Sequence, residues 1–175
     1  KTESSEVKVK AVLFDLGGTL VQTLEIPSIL KKILEHCGID RSLEEITEAW
    51  KKAEREHDRK DLPRLLDEFW VQWNVRILGN LHVDSNKDAL AEYIATHWWD
   101  FAEVLTYPDA HRTLPLLKER GLKVGLISNG LQSDIDQILP KVGLQNFFDV
   151  VVVIDTLRRM KPDSRGFHYA IRELK

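Results

Sequence analysis

The chain has 175 residues, of which 43% are hydrophobic and 30% charged, and its 25 Lys and Arg face 28 Asp and Glu for a net charge of −3. Such a chain fits one globular domain, or a core with a modest insertion. The charge balance excludes a surface with global attraction for nucleic acid or an anionic membrane. The single cysteine, Cys37, excludes an intrachain disulfide. The longest apolar runs, such as "VVVVI", are far too short to span a bilayer. The opening "KTESSEVKVK" is polar and has no apolar centre, unlike a secretory signal. Together these features lead us to expect a soluble cytoplasmic protein. The chain starts at Lys1 and stops at "AIRELK", inside a helical pattern with no Gly or Pro stop, so a longer protein is expected.

In chain order, Val9 to Phe14 reads as a strand. From Ala11 the run is apolar without alternation, as for a strand buried on both faces. A polar turn follows, and from Ile26 to Val104 the periodicity becomes helical. Ile26, Ile29, Leu30, Ile33 and Leu34 form one stripe, and Leu43, Ile46, Trp50 and Ala53 a second. Leu62, Leu65, Leu66, Phe69, Trp70, Trp73 and Ile77 form a third, and Leu90, Ile94, Trp98 and Phe101 a fourth. Ser42, and Ser85 or Asn86, are candidate N-caps. The mixed-sign run "KKAEREHDRK" reads as a solvated helix face.

After "TYPDA" the pattern is α/β. Helices are expected over Ala110–Arg120, Leu131–Val142 and Ser164–Leu174, with strands at "KVGLIS" and "FFDVVVVI". Strands separated by helices imply a parallel sheet with right-handed crossovers. The fold class is therefore α/β, a parallel-sheet core of residues 1–21 and 105–175 with an all-helical insertion at 22–104. Ligands of such sheets bind at the carboxyl ends of the strands, so an insertion just after the first strand sits over that site as a lid.

The stretch "VLFDLGGTL" admits three kinds of phosphate chemistry. A dinucleotide turn needs G-x-G-x-x-G, whereas these glycines are adjacent and no third follows. "DLGGT" is similar to the first phosphate loop of the hexokinase/actin-like ATPases, but that fold needs a strand directly after Thr19, where this sequence runs into a helix. The third possibility is a nucleophilic aspartate, Asp15.

That possibility gains from residues elsewhere. The chain resembles the haloacid dehalogenase (HAD)-like hydrolases over almost its whole length. Their first motif, an apolar strand followed by Asp-x-Asp-Gly-Thr, is matched by Asp15, Leu16, Gly17, Gly18 and Thr19. The second, a strand ending in Ser or Thr, is matched by Ser128, and the third by Lys161 and Pro162 in "KPDSRGF". The resemblance implies a Rossmann-like core with a helical C1-type cap. It also implies a Mg²⁺-dependent phosphatase acting on a small phosphorylated metabolite. Asp15 would then be the nucleophile that forms an aspartyl-phosphate. Asp15 and the backbone carbonyl of Gly17 would bind Mg²⁺. Ser128 would donate to a phosphate oxygen, and Lys161 would neutralise charge on the transferring group. Asn129 either contacts phosphate or shapes the turn.

Two positions depart from the family pattern. Gly17 stands where phosphatases of the family carry a second aspartate, the proton donor to the leaving group. The fourth motif, an acidic pair after a fourth strand beside the first, is absent up to Lys175. The core therefore reads as incomplete at its C-terminus, with the first strand as an edge. Asp149 precedes the third core strand, at the wrong end for metal, and Asp155 reads as a loop residue. These departures keep two alternatives open: a 2-haloacid dehalogenase-like hydrolase, whose halide leaving group needs no proton, and a catalytically impaired binding protein of the same fold. The five tryptophans are expected to fill the core of the helical block. The histidines have no metal spacing, and Cys37 has no activating neighbour. The oligomeric state is not legible.

Overall fold

A computed structural model describes residues 8–175. The stretch "KTESSEV", read above as polar, lies outside them. The first strand, β1, spans Ala11–Phe14. It is followed by a two-residue strand β2 at Val21–Gln22 and helices α1 (Ile26–His36), α2 (Leu43–Glu56), α3 (Leu62–Leu65), α4 (Asp67–Asn80) and α5 (Lys87–Phe101). The chain then forms β3 (Leu105–Thr106), α6 (Ala110–Glu119), β4 (Lys123–Ile127), α7 (Gln132–Lys141), β5 (Val150–Val152), a short α8 (Ile154–Leu157) and α9 (Arg165–Glu173). The parallel sheet has the order β1-β4-β5, and among the described residues β1 is an edge. Among them, too, no helix is long and apolar enough to cross a membrane.

Parallel register explains why the sheet places chemistry at one end. Phe14 lies opposite Leu126, and Ile127 opposite Val152, so the residues after β1 and β4 emerge side by side. Gly125 makes this close pairing possible. A Cβ there would come within 2.5 Å of the Leu13 side chain and 2.9 Å of Val150. The base of the sheet is fixed by Asp149, whose carboxylate accepts from the Val124 N–H and from Lys118. Lys118 holds that carboxyl below its usual range. Asp149 is thus a structural brace at the far end of the strands.

The helical insertion has its own core, built on Ile29, Leu30, Ile33, Leu34, Ile46, Ile77, Leu78 and Ile94. The residues that the 3.6-residue period selects are buried or half-buried, except that Leu43 is 46% exposed at the mouth of α2. Ser42 caps α2 with a reciprocal capping box to Glu45. Asn86 precedes α5 in a left-handed conformation without a side-chain cap bond. The third stripe is two helices, not one. Leu66 breaks it with φ +54°, closing α3 through its N–H to the Leu62 carbonyl. The bend lets Leu62 and Phe69 pack with Leu131, just before α7, and Ile154, at the start of α8. This burial joins the insertion to the core and offsets the backbone cost of a positive φ, about 1 kcal/mol for such a residue.

Two features escape the sequence pattern. At the neck of the insertion, β2 and β3 pair antiparallel, with Val21 opposite Thr106 and Gln22 opposite Leu105. Its first strand straddles the limit 21/22, and its second begins at 105. The apolar run "VVVVI" does not continue as strand past Val152, because Ile154 starts α8.

His57 ends α2, is 7% exposed, and packs on Phe69 with ring centroids 4.3 Å apart. Its Nε2 has no hydrogen-bond partner among the described residues. Burial, reinforced by Arg76, pushes its pKa below 6.5. A group that binds fewer protons when folded contributes stability above its unfolded pKa, and this is lost as pH falls below that value. The urea midpoint is therefore expected to drop between about pH 7.5 and about pH 5.5, and His57→Phe should flatten that slope. An unchanged slope in the variant would refute this assignment.

Candidate functional site

Asp15 follows β1, Ser128 follows β4, and Lys161 lies on the loop between α8 and α9. The structure brings the first and last into direct contact, with the Lys161 ammonium 2.7 Å from Asp15 Oδ1. The same ammonium donates to the Ile127 carbonyl at 3.0 Å, so the lysine ties both strand ends together. Asp15 Oδ1 also accepts from the Leu16 N–H, while Oδ2 has no partner among the described residues. The Asp15 side chain is 46% exposed, against 22% for Lys161. A carboxylate fixed through one oxygen and open at the other is well placed to attack.

The turn after Asp15 is built from backbone bonds. The amides of Thr19, Leu20 and Val21 donate to the Leu16 carbonyl, and Gly18 donates to the Val21 carbonyl. Leu16, Leu20 and Val21 anchor it in the core below. Gly18 has φ +73°, which favours glycine. Gly17 has no such requirement, and a Cβ there would meet nothing within 4 Å. None of the turn's bonds ends on the Gly17 carbonyl, so this oxygen is available beside Asp15.

Ser128 Oγ accepts from the Gly130 N–H at 3.0 Å, which leaves its own O–H to donate outward. Asn129 is used differently. Its Oδ1 accepts from the Lys161 N–H at 2.6 Å, and its Nδ2 donates to the Lys161 carbonyl at 3.2 Å. The amide splints the lysine's backbone to the end of β4. Of the two roles open to Asn129, this geometry supports shaping the loop.

Trp99 and Asp134 join the site without having been read as part of it. A cleft of about 220 Å³ is lined by Gly17, Gln22, Trp99, Ser128 and Asp134, among others. The other tryptophans pack in the helical block, whereas Trp99 donates from Nε1 to Asp134 Oδ1 at 2.8 Å. Asp134 Oδ2 accepts from the Leu131 N–H. Burial pushes the Asp134 carboxyl up, although these two bonds oppose the shift. With both oxygens taken by N–H donors, Asp134 is a brace between α5 and α7 and does not substitute for the side chain missing at Gly17. An acid three residues into a helix is the available sequence signal for it. Asp155, expected in a loop, lies in α8 and accepts from the Gln132 N–H at the start of α7.

Further bonds fasten the insertion over the strand ends. Ser133 donates to Asp67, Lys141 reaches the Trp99 carbonyl and Asp100, and Arg158 donates to the Pro63 carbonyl. As for a metal, the Asp15 carboxylate and the Gly17 carbonyl carry hard oxygen donors of the kind a divalent cation takes. Among the described residues, no group of three acidic, His or Cys side chains could hold one. Two protein oxygens fall short of the six or more that such a cation takes, so a cation here would need further ligands from outside these residues.

The description "haloacid dehalogenase-like hydrolase" matches residues 9–175. A pyrophosphatase PpaX of Listeria monocytogenes is 28% identical over 169 residues, covering 94% of this chain and 68% of that protein. A glyceraldehyde 3-phosphate phosphatase of Methanothermobacter thermautotrophicus is 29% identical over 170 residues, covering 95% and 72%. Among solved structures, an L-2-haloacid dehalogenase from Xanthobacter autotrophicus superposes with a TM-score of 0.63 at 26% identity, covering 94% of this chain and 64% of that one.

Replacing Asp134 with Ala leaves the Trp99 and Leu131 N–H groups unpaired at the junction. We expect a loss of about 2 kcal/mol in unfolding free energy, measured by urea denaturation. A loss within error would show that the junction does not depend on this brace.

Proposed function

The chain belongs to the haloacid dehalogenase-like hydrolases, and on that premise we propose that it is a phosphatase of a small phosphorylated metabolite, acting through an aspartyl-phosphate intermediate. The observation that carries the reading is the Lys161 ammonium set 2.7 Å from Asp15 at the carboxyl end of the sheet. Asp15 Oδ2 attacks phosphorus and the bond to the leaving oxygen breaks; water then hydrolyses the acyl phosphate and regenerates the carboxylate. Lys161 holds the nucleophile in place and balances negative charge on the transferring group. The Ser128 hydroxyl donates to a non-bridging oxygen. Asn129 keeps Lys161 in position. Asp15 and the Gly17 carbonyl would hold Mg²⁺, which when bound supplies further charge neutralisation. Residues 22–104 act as the cap over a core of 1–21 and 105–175, excluding water and selecting the substrate. The phosphatase names of the two relatives support the reaction class.

Gly17 gives a second reading its specific support. Without a carboxylate at that position no side chain of the turn protonates the leaving group, and a halide would not need it. A dehalogenase would release halide from a 2-haloacid without metal. Halide detection with 2-chloropropionate separates the two readings.

In the phosphatase reading, Asp15→Asn abolishes phosphate release from a metabolite panel, and chelation of divalent cations lowers it strongly. If the wild-type chain releases phosphate from no ester or anhydride, the reading falls. Gly17→Asp is permitted by open space and an ordinary backbone. Because general acid–base catalysis contributes roughly 10²–10⁴ in rate, we expect it to raise kcat/KM on alkyl phosphates far more than on aryl phosphates. Equal gains on both would show that leaving-group protonation is not limiting.

A further inference from the structure

A second cleft has a volume of about 530 Å³, and among the described residues its lining carries Lys60, Arg64, Arg158, Arg159 and Lys161 against one acid, Asp163. One wall comes from α3 and Lys60 just before it, the other from the end of α8 and the loop that delivers Lys161. The chain as a whole has a net charge of −3, so this cleft is a local reversal of the overall balance.

The cations are only partly neutralised. Arg64 lies 3.1 Å from Asp61, and Lys60 lies 3.7 Å from Asp58. Arg159 reaches Asp163 only at 3.9 Å, because that carboxylate is taken by a fork from Arg165. Arg158 has no carboxylate within ion-pair distance among the described residues, and its guanidinium meets the Pro63 carbonyl across the gap at 3.4 Å. Clustered like charges repel, and a concave wall focuses their field. Guanidinium groups grip phosphate and carboxylate through paired N–H donors. The volume is that of a small-molecule site.

Lys161 connects this cleft to the nucleophile, since it lines the one and pairs with the other. A phosphate ester of a neutral alcohol would use Lys161 and leave the three arginines idle. Among the described residues the lining has no aromatic side chain on which a base could stack, which favours a small polyanion over a nucleic acid strand.

We propose that this cleft is a second anion subsite. It takes a further phosphoryl or carboxylate group of a substrate whose transferred phosphoryl lies at Asp15, so the substrate class is a phosphate ester or anhydride carrying at least two anionic groups. Arg64, Arg158 and Arg159 are its specificity-determining residues. This assignment rests on the phosphatase reading for its catalytic half, but the binding half is independent of turnover.

The test compares the full chain with Arg64→Ala and with the double variant Arg158→Ala/Arg159→Ala. The substrates are para-nitrophenyl phosphate, which has one anionic group, and pyrophosphate and 2-phosphoglycolate, whose second groups are phosphoryl and carboxylate. The variants are expected to raise KM at least about tenfold for one or both two-anion substrates while staying within about twofold on para-nitrophenyl phosphate. The arm that responds identifies the second group. Equal losses on all three substrates would overturn the subsite. Calorimetric binding to Asp15→Asn, which needs no turnover, provides the second readout. Pyrophosphate or 2-phosphoglycolate should bind more tightly than inorganic phosphate, and Arg64→Ala should erase the difference even if the double variant fails to fold. No preference over inorganic phosphate would also overturn it. If the wild type hydrolyses nothing yet binding shows this preference, the phosphatase reading fails and the subsite stands.

Discussion

The ammonium of Lys161 holds three separate pieces of chain at one point. It pairs with Asp15 after β1 and bonds the carbonyl of Ile127 at the end of β4, while its own backbone is clamped by Asn129. An amine with three donors suits this task, and partial burial makes each bond worth more than on an open surface. The pairing also explains why one oxygen of Asp15 remains open. The lysine and the Leu16 N–H share Oδ1, so the carboxylate is oriented without being used up.

The rest of the molecule serves to keep that point in place under a cover. Core and insertion have separate apolar clusters, and they meet in a small mixed one of Leu62, Phe69, Leu131 and Ile154. Trp99 and Val104 pack against both clusters, and polar links add to this: Trp99 to Asp134, Ser133 to Asp67, Lys141 to Asp100. A junction of this kind is held in register by direction more than by area. Individual hydrogen bonds there contribute roughly 1 kcal/mol each, so the two bodies are fastened firmly but not fused.

The sheet and the helical block were legible because their signals are long: unbroken apolar runs for β1 and β4, and repeated 3.6-residue stripes for the helices. Asp15 and Ser128 could be placed at the carboxyl end of the sheet because each directly follows a strand, whereas Lys161, which lies beyond α8, had only its motif to mark it. Shorter or longer-range features were not. Two-residue strands have no period to detect, and the apolarity of "VVVVI" is the same whether Ile154 extends a strand or starts a helix. The break at Leu66 follows from packing against Leu131 and Ile154, residues far along the chain. Asn129 and Lys161 are 32 positions apart, so their pairing has no local trace. Lys60 belongs to the run "KKAEREHDRK", read as a solvated face, yet it lies past the end of α2 and lines the basic cleft.

The ribbon of β2 and β3 has a consequence beyond this molecule. It joins the way into the helical block to the way out through backbone pairing at four residues, and bonds from Leu24 to Ala102 and from Tyr107 to Leu20 extend the seam. Main-chain bonds do not depend on which side chains surround them. The seam therefore fixes where an inserted segment must start and finish, and leaves its length and contents free. Such a joint makes the block a replaceable cassette: recombination or gradual drift can remodel it, while the groups gathered at Lys161 stay in place.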